Sequence, residues 1–344
     1  MRAVKPLDFG LEMRGQFPAG YDMQQAVAEL LEQARTARRL GFTSICKSQH
    51  YSSTPFQEIQ QIPFLARLAA EVPGMRLVTG INLLSLHKPL DIAEQVATLD
   101  VISGGHMVFG AGLGYRDVEF KAFGVARREA VRRLEENLEA LKRLWTEDEV
   151  SMVASHFELD GASCSTKPVQ TPRVPIWLGA NADVAIRRAA RLADSWMINP
   201  HNRIDTIERQ LDVYRRALDD AGKPFPDELP CTREIFVADS REAAVQLARP
   251  YLDAKYRAYH AWGQDKAMPA GDNDLGQTYD DLLQDRFVMG TADQVAGQLA
   301  SLVRRLGVTR IGCAVQWVGM PQGLLLEQLH RLAEEVFPRV RQAI

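Results

Sequence analysis

Two hydrophobic spacings alternate along the chain, one typical of buried strands and the other of amphipathic helices. Eight short apolar runs predict strands at residues 7–13, 44–47, 76–84, 107–111, 175–179, 195–199, 232–237 and 310–315. Helical spacing predicts helices at residues 23–40, 63–71, 89–102, 127–145, 183–192, 203–221, 241–261, 291–306 and 322–336. Asp22 is a predicted N-cap, and Gly41 and Gly307 follow two of the helices, where glycine commonly ends a helix.

Strands that alternate with helices indicate parallel β-α-β units. Eight such units favour a closed (β/α)8 TIM barrel of the α/β class, since each strand is followed by a helix. An open, doubly wound sheet is the alternative. No linker rich in proline, glycine or serine divides the chain, so we predict a single domain over residues 1–344.

Two stretches interrupt the alternation. Residues 147–173 contain two short apolar pieces, which predict a small hairpin and loop inserted before the fifth strand. Residues 264–283 are polar and precede the eighth strand, and a loop of this length is usually either functional or disordered. In a barrel the second stretch would lie at the active face, where its two interpretations are a lid and a disordered segment.

The overall composition narrows the class of protein. Hydrophobic residues make up 46% and charged residues 25% of the 344 residues, and the net charge is -3, which gives no basis for nucleic-acid or acidic-membrane binding. The four cysteines form no CxxC pair and are predicted to be buried free thiols, with no metal site. Neither a signal core nor a membrane-length apolar run is evident, so we predict a soluble cytoplasmic protein.

His50 follows the second predicted strand and is the candidate catalytic residue. In a barrel this position lies on the catalytic rim, where an imidazole can exchange a proton near neutral pH. The alternative is a solvated loop histidine. Motifs of serine hydrolases, P-loop proteins and HExxH metalloenzymes are absent from the sequence.

Glycines at the ends of the third and fourth strands mark candidate contacts with a flat ring. Gly80, Ile81 and Asn82 end the third strand, where a glycine indicates either a bulge or a close backbone approach to a ligand. Gly112, Leu113 and Tyr115 belong to a glycine-rich run after the fourth strand, which is not a dinucleotide fingerprint.

The turn after the fifth strand is the candidate phosphate site. Gly179, Ala180, Asn181 and Ala182 precede a predicted helix, whose N-terminal amides and dipole favour an anion. The alternative is an ordinary turn with Asn181 as N-cap. The arginines at 187 and 188 are predicted to face solvent.

Three large aromatic residues are candidates for an apolar substrate pocket. These are Trp196, Phe287 and Trp317, of which Phe287 is predicted to precede a turn at Gly290. Packing in the core is the alternative for the tryptophans.

An ordered set of short segments runs from residue 49 to residue 196. They are QHY at 49–51, HKP at 87–89, EQVATLD at 94–100, SGGHMVFG at 103–110, GYRD at 114–117, EF at 119–120, FG at 123–124, EE at 135–136, LW at 144–145, PIWLG at 175–179 and ADSW at 193–196. Together and in this order they resemble the bacterial luciferase-like flavin-dependent oxidoreductases.

This resemblance implies a barrel, usually dimeric, with the cofactor at the carboxyl ends of the strands. It makes His50 similar to the family's active-site histidine and implies a cis peptide at Gly80–Ile81 beneath the ring system. It places the cofactor phosphate at the turn that begins with Gly179. Leu113 stands where luciferase has a phosphate-clamping arginine, and two polar phosphate ligands correspond here to Asn181 and Ala182.

Three functions follow as hypotheses. The first is a monooxygenase that uses O2 and reduced FMN, supplied by a separate NAD(P)H-dependent flavin reductase, on a small organic substrate. The second is a hydride-transferring oxidoreductase that uses the deazaflavin coenzyme F420. The third is a non-catalytic flavin-binding protein, for which His50 would be dispensable.

Overall fold

The computed structural model describes residues 7–344 of the chain. Its strands are β1 Asp8–Met13, β2 Gln16–Pro18, β3 Ser44–Lys47, β4 Phe56–Glu58, β5 Arg76–Thr79, β6 Met107–Ala111, β7 Val150–Val153, β8 Glu158–Ala162, β9 Ile176–Gly179, β10 Ser195–Met197, β11 Pro230–Val237, β12 Phe287–Gly290 and β13 Arg310–Ala314. Its α-helices are α1 Met23–Arg39, α2 Gln61–Glu71, α3 Pro89–Ile102, α4 Asp117–Ala122, α5 Ala130–Thr146, α6 Asp183–Leu192, α7 Ile204–Asp220, α8 Arg241–Ala261, α9 Tyr279–Leu282, α10 Ala292–Leu306, α11 Gln322–Arg331 and α12 Phe337–Ala343.

Nine of the strands form one curled, parallel sheet in the order β10-β9-β6-β5-β3-β1-β13-β11-β12. Regular ladders do not close this sheet within the part of the chain that the structure describes. An isolated parallel bridge between Ile198 and Cys231 connects the end of β10 to β11. The α/β class is therefore confirmed, whereas the predicted barrel closed by eight regular ladders is not present.

The sequence analysis did not predict β12, which is one of the nine strands of the large sheet. Phe287 begins this strand, which ends at Gly290. β12 pairs with the second part of β11, which is eight residues long. Pro230–Glu234 pair with β13, and Glu234–Val237 pair with β12. A four-residue apolar run beside a polar segment carries little periodicity, and its partner lies far away in sequence.

The two interrupting stretches both contain regular structure. β7 and β8 pair antiparallel, as the hairpin prediction requires. The second stretch contains a 3-10 turn at Gln264–Ala267 and the short helix α9, so it is not a structureless loop. That these stretches are insertions stays a prediction.

Helix ends follow the predicted chemistry. The Asp22 side chain accepts from the amides of Gln24 and Gln25 at the start of α1. Thr291 and Gln294 form a capping box at α10, and Gly307 ends that helix with φ +66°. These caps fix where each helix begins relative to the strand before or after it.

Most of the buried core is apolar, although strand residues such as Lys47, Arg233 and Glu234 are buried as well, and all four cysteines are buried free thiols. No helix of residues 7–344 is long and apolar enough to cross a membrane. Because the strands of the large sheet are parallel, their carboxyl ends meet at one edge. The segments that follow β1, β3, β5, β6, β9 and β10 therefore gather at this edge.

Candidate active site

A cavity of about 460 Å³ opens at the carboxyl edge of the sheet. Nine of the predicted site residues line it: His50, Gly80, Ile81, Leu113, Tyr115, Gly179, Ala180, Asn181 and Ala182. The structure thus brings together residues from four separate loops of the sequence.

The wall beside β5 depends on close backbone packing. The Gly80–Ile81 peptide is cis, as the family resemblance implies. A Cβ on Gly80 would lie 2.0 Å from Cys46 Sγ, and one on Gly112 would lie 2.0 Å from Ile81 Cδ1. Glycine at both positions lets the Ile81 side chain reach the cavity wall.

Two predicted residues support this wall without lining the cavity. Gly112 donates its amide to the Asn82 carbonyl at 3.0 Å, and Asn82 donates its own amide to Gly110 at 2.7 Å. The Asn82 side chain is fully buried, and neither of its polar atoms has a partner among residues 7–344. Asn82 therefore lies behind the surface that a ligand would touch.

His50 is buried and held in one orientation. Its Nδ1 lies 3.0 Å from Glu119 Oε1, the same oxygen that accepts from the Tyr51 amide at 2.9 Å. Arg116 Nη1 lies 3.4 Å from this oxygen and also donates to the Tyr51 carbonyl. A carboxylate only accepts, so this contact assigns the proton of a neutral His50 to Nδ1 and leaves Nε2 available for proton exchange.

Aromatic rings enclose the imidazole. The rings of Tyr115, Tyr259 and Trp262 lie edge-on to His50 with centroids 5.7, 6.1 and 5.2 Å away. The Tyr115 hydroxyl is buried and lacks a partner within the described chain, and burial raises the pKa of Tyr115 well above its usual value. Tyr115 therefore stays a neutral hydrogen-bond donor at the edge of the cavity.

The turn after β9 leaves helix amides uncapped. Ala182 is the N-cap of α6 and provides no side-chain cap, so the alternative in which Asn181 is the N-cap is wrong. Asn181 instead contacts Asn199 with its side chain and accepts from Gln210 with its carbonyl. The first amides of α6 are therefore available to an anion in the cavity.

Arg188 is a site residue that the sequence analysis missed. Arg187 is exposed as predicted, but Arg188 is buried and lines the cavity. Helical side chains lean toward the N-terminus of their helix, which brings Arg188 back toward the turn. Its Nε donates to Glu135 at 2.7 Å, and its position on the buried face of α6 is the signal that could have identified it.

The three predicted pocket aromatics do not line this cavity, which corrects their assignment. Trp196 is fully buried and donates to the Ala180 carbonyl at 2.9 Å, so it supports the turn from behind. Phe287 and Trp317 pack in a separate apolar cluster with Tyr256 and other residues. Phe287 and Trp317 are therefore core residues.

Comparisons with known proteins agree with this architecture. The chain is 26% identical over 298 residues to an FMNH(2)-dependent dimethylsulfone monooxygenase of Pseudomonas fluorescens, which covers 82% of this chain and 79% of that protein. Monooxygenase RslO1 from Streptomyces bottropensis superposes with a TM-score of 0.81 at 26% identity, covering 96% and 99% of the two chains. An F420-dependent secondary alcohol dehydrogenase has a TM-score of 0.78 at 17% identity, covering 97% and 99%, and this likeness shows the fold alone.

The family model for luciferase-like monooxygenases matches residues 7–310, which is most of the chain. This match, together with the curled parallel sheet and the cavity at its carboxyl edge, shows that the chain belongs to the luciferase-like monooxygenase family.

Proposed function

We propose that this protein is a monooxygenase that uses reduced FMN and O2 to oxidise a small organic substrate. The observation that carries the proposal is that one cavity is lined by His50, by the cis peptide at Gly80–Ile81 and by the uncapped turn before α6. The FMNH(2)-dependent relative supports the choice of cofactor.

The residues present fit FMN. A cavity of about 460 Å³ lies within the range of cofactor sites, which is roughly 300–1,000 Å³. The amides that follow Gly179 would hold the phosphate, and Arg188 would supply the positive charge that is missing at Leu113. Ile81 would contact the flat ring.

Reduced FMN, when bound, would activate dioxygen for transfer of one oxygen atom to the substrate. His50 would hold or move a proton at Nε2, because Glu119 fixes Nδ1 as the donor. Tyr115 would donate a hydrogen bond from its neutral hydroxyl. The apolar side chains around them, including Leu83 and Phe120, would exclude water from the reacting groups.

Three features of the cellular setting are part of the proposal. The chain would receive reduced FMN from a separate NAD(P)H-dependent flavin reductase, and it would work in the cytoplasm. It would form a homodimer. Light scattering of the purified chain would give twice the monomer mass if the dimer is correct.

Coenzyme F420 is the second candidate cofactor, and the fold of the F420-dependent dehydrogenase is the observation that keeps it. Fluorescence quenching during titration with FMN and with F420 decides between them. We expect FMN to bind more tightly. Binding of F420 without binding of FMN would contradict the proposal.

Reaction with oxygen separates catalysis from mere binding. The protein is loaded with reduced FMN in the absence of oxygen. It is then mixed with aerated buffer, and the absorbance of oxidised flavin is followed. We expect oxidised flavin to form at least about 10-fold more slowly in the protein than from free reduced FMN, because the site excludes water. An unchanged rate would favour the non-catalytic flavin-binding protein.

A further inference from the structure

We propose that the substrate carries an oxyanion group, either a carboxylate or a sulfonate, and that Arg14 binds this group inside the cavity. The identity of the bound anion as a substrate rests on the proposed monooxygenase function. The anion preference of the cavity does not.

Arg14 lies directly after β1 and lines the cavity. Its Nη2 donates to Glu234 Oε1 at 2.9 Å, and its Nη1 donates to the Tyr259 hydroxyl at 3.3 Å. Its Nε is buried and has no partner among residues 7–344. These contacts use two of the five N–H donors of a guanidinium, so the part of Arg14 that lines the cavity can receive an oxyanion.

Arg14 shares its carboxylate partner with Lys255. Lys255 and Arg14 both contact Oε1 of Glu234, and Trp317 donates to the other oxygen at 2.6 Å. The side chains of Glu234 and Lys255 are 0% and 2% exposed, so solvent compensates them little. Arg14 and Lys255 therefore share the Glu234 carboxylate, and an anion in the adjacent cavity would give Arg14 a partner of its own.

Arg14 affects the ionisable groups beside it. The pKa of His201, which also lines the cavity, is lowered well below its usual value by burial first and then by Lys255 and Arg14. The pKa of Lys255 is lowered to about 7 by burial and by Arg14, against the opposing effect of Glu234. Burial is the largest cause of both shifts and the neighbouring cations add to it, so a positive charge at His201 or Lys255 is disfavoured.

The carboxyl group in the cavity wall does not offset this charge fully. Glu12 accepts from Thr232 at 3.1 Å, and burial raises its pKa above the usual value. The cationic side chains that line the cavity are more numerous: Arg14, Arg127, Arg188 and Lys266.

Arg14 is separate from the proposed phosphate turn. It follows β1, whereas Arg188 follows β9, and β3, β5 and β6 lie between these two strands in the sheet. One phosphate would thus occupy Arg188 and leave Arg14 for the substrate. The cavity wall also carries Met13, Leu83 and Met197, which suit an apolar substrate body with an anionic end.

The test compares probes that differ mainly in charge. Binding of hexanoate, hexanesulfonate and hexanamide to the full-length protein is measured by calorimetry with saturating FMN, so that the phosphate turn is filled. We expect at least one anion to bind roughly 10- to 100-fold more tightly than hexanamide, the size of a charge-assisted hydrogen bond. The anion that binds more tightly, hexanoate or hexanesulfonate, identifies the group as a carboxylate or a sulfonate.

Variants then locate the preference. Arg14→Gln should remove most of it and Arg14→Lys should restore part of it, whereas Arg35→Gln, which removes an exposed cation paired with Glu71, should leave it unchanged. If the Arg14 variants fail to fold, the selectivity of the natural sequence still decides.

Equal affinity for the three probes, or binding of none of them, overturns the proposal, as does a preference that survives Arg14→Gln. A protein that does not bind FMN refutes the proposed function instead. The probes are then compared without FMN, so the two failures remain distinct.

Discussion

The turn before α6 and the loop after β3 face the same cavity but present different chemistry to it. The turn offers backbone amides from small residues, Gly179 to Ala182, with Arg188 beside them. The loop offers a side chain, His50, whose orientation depends on Glu119 and Arg116. One region is suited to holding an anion, and the other to moving a proton.

This difference explains why the two regions tolerate different substitutions. A backbone site needs little more than small side chains and a helix start, so an asparagine and an alanine can replace polar ligands there. A proton-transfer site needs one defined nitrogen, which requires a buried carboxylate to fix the tautomer. Binding and turnover should therefore separate when each region is altered alone.

Substitution of the imidazole should give the largest effect. We expect His50→Ala to slow turnover by about 100-fold, the size of a lost acid-base group, while FMN affinity changes less than about twofold. Single-turnover kinetics and fluorescence titration measure the two quantities. His330→Ala, at a half-exposed helix position, is the control. A loss of FMN affinity with an unchanged rate would reverse the roles of the two regions.

Gly110 in β6 should be the next most sensitive position. A Cβ on Gly110 would lie 1.9 Å from the Thr79 carbonyl oxygen, whereas a Cβ on Gly297 would meet nothing within 4 Å. We expect Gly110→Ala to lower the free energy of unfolding by about 1–3 kcal/mol, because the backbone must shift. Gly297→Ala, inside α10, should raise it by about 0.5–1 kcal/mol. Urea unfolding tests both, and equal effects would refute the close packing.

Removing the cation beside the turn should act on the phosphate alone. We expect Arg188→Gln to weaken FMN binding by roughly 10-fold and to leave riboflavin binding unchanged, because riboflavin has no phosphate. The exposed Arg187→Gln is the matched control. Fluorescence quenching by both flavins provides the measurement. If FMN and riboflavin lose affinity equally, Arg188 does not contact the phosphate.

The smallest expected effect is the pH dependence of anion binding near the loop. Lys255 has a pKa lowered to about 7, and it faces Glu234, Arg14 and the rings of Tyr256 and Tyr259. It is charged below this pH and neutral above it, so hexanoate affinity should fall several-fold between about pH 6 and about pH 8.5. Lys255→Met should flatten the profile. A hexanoate affinity that rises with pH would contradict this sign.

The loop and the turn were both predictable because their signals are local. His50 directly follows a buried strand, and small residues directly precede a helix with clear periodicity. Each inference needed fewer than about ten consecutive residues and the rule that carboxyl ends of parallel strands gather at one edge. The cis peptide came from family resemblance and agrees with the structure.

The missed features depend on pairing between distant segments. Arg14 and Glu234 are 220 positions apart, and β12 is recognisable only through its register with β11. The apolar spacing of α6 marks its covered face, but the partner of Arg188 on that face, Glu135, lies on α5. Trp317 is a core residue and not a pocket residue, because its indole donates to the buried Glu234.

The most direct test of the account is a crystal structure of the protein with FMN. We predict that the phosphate lies within hydrogen-bond distance of the amides that follow Gly179, and that the ring lies against Ile81 with its reactive edge toward His50. A phosphate bound elsewhere, or a ring outside the cavity, would contradict the central claim.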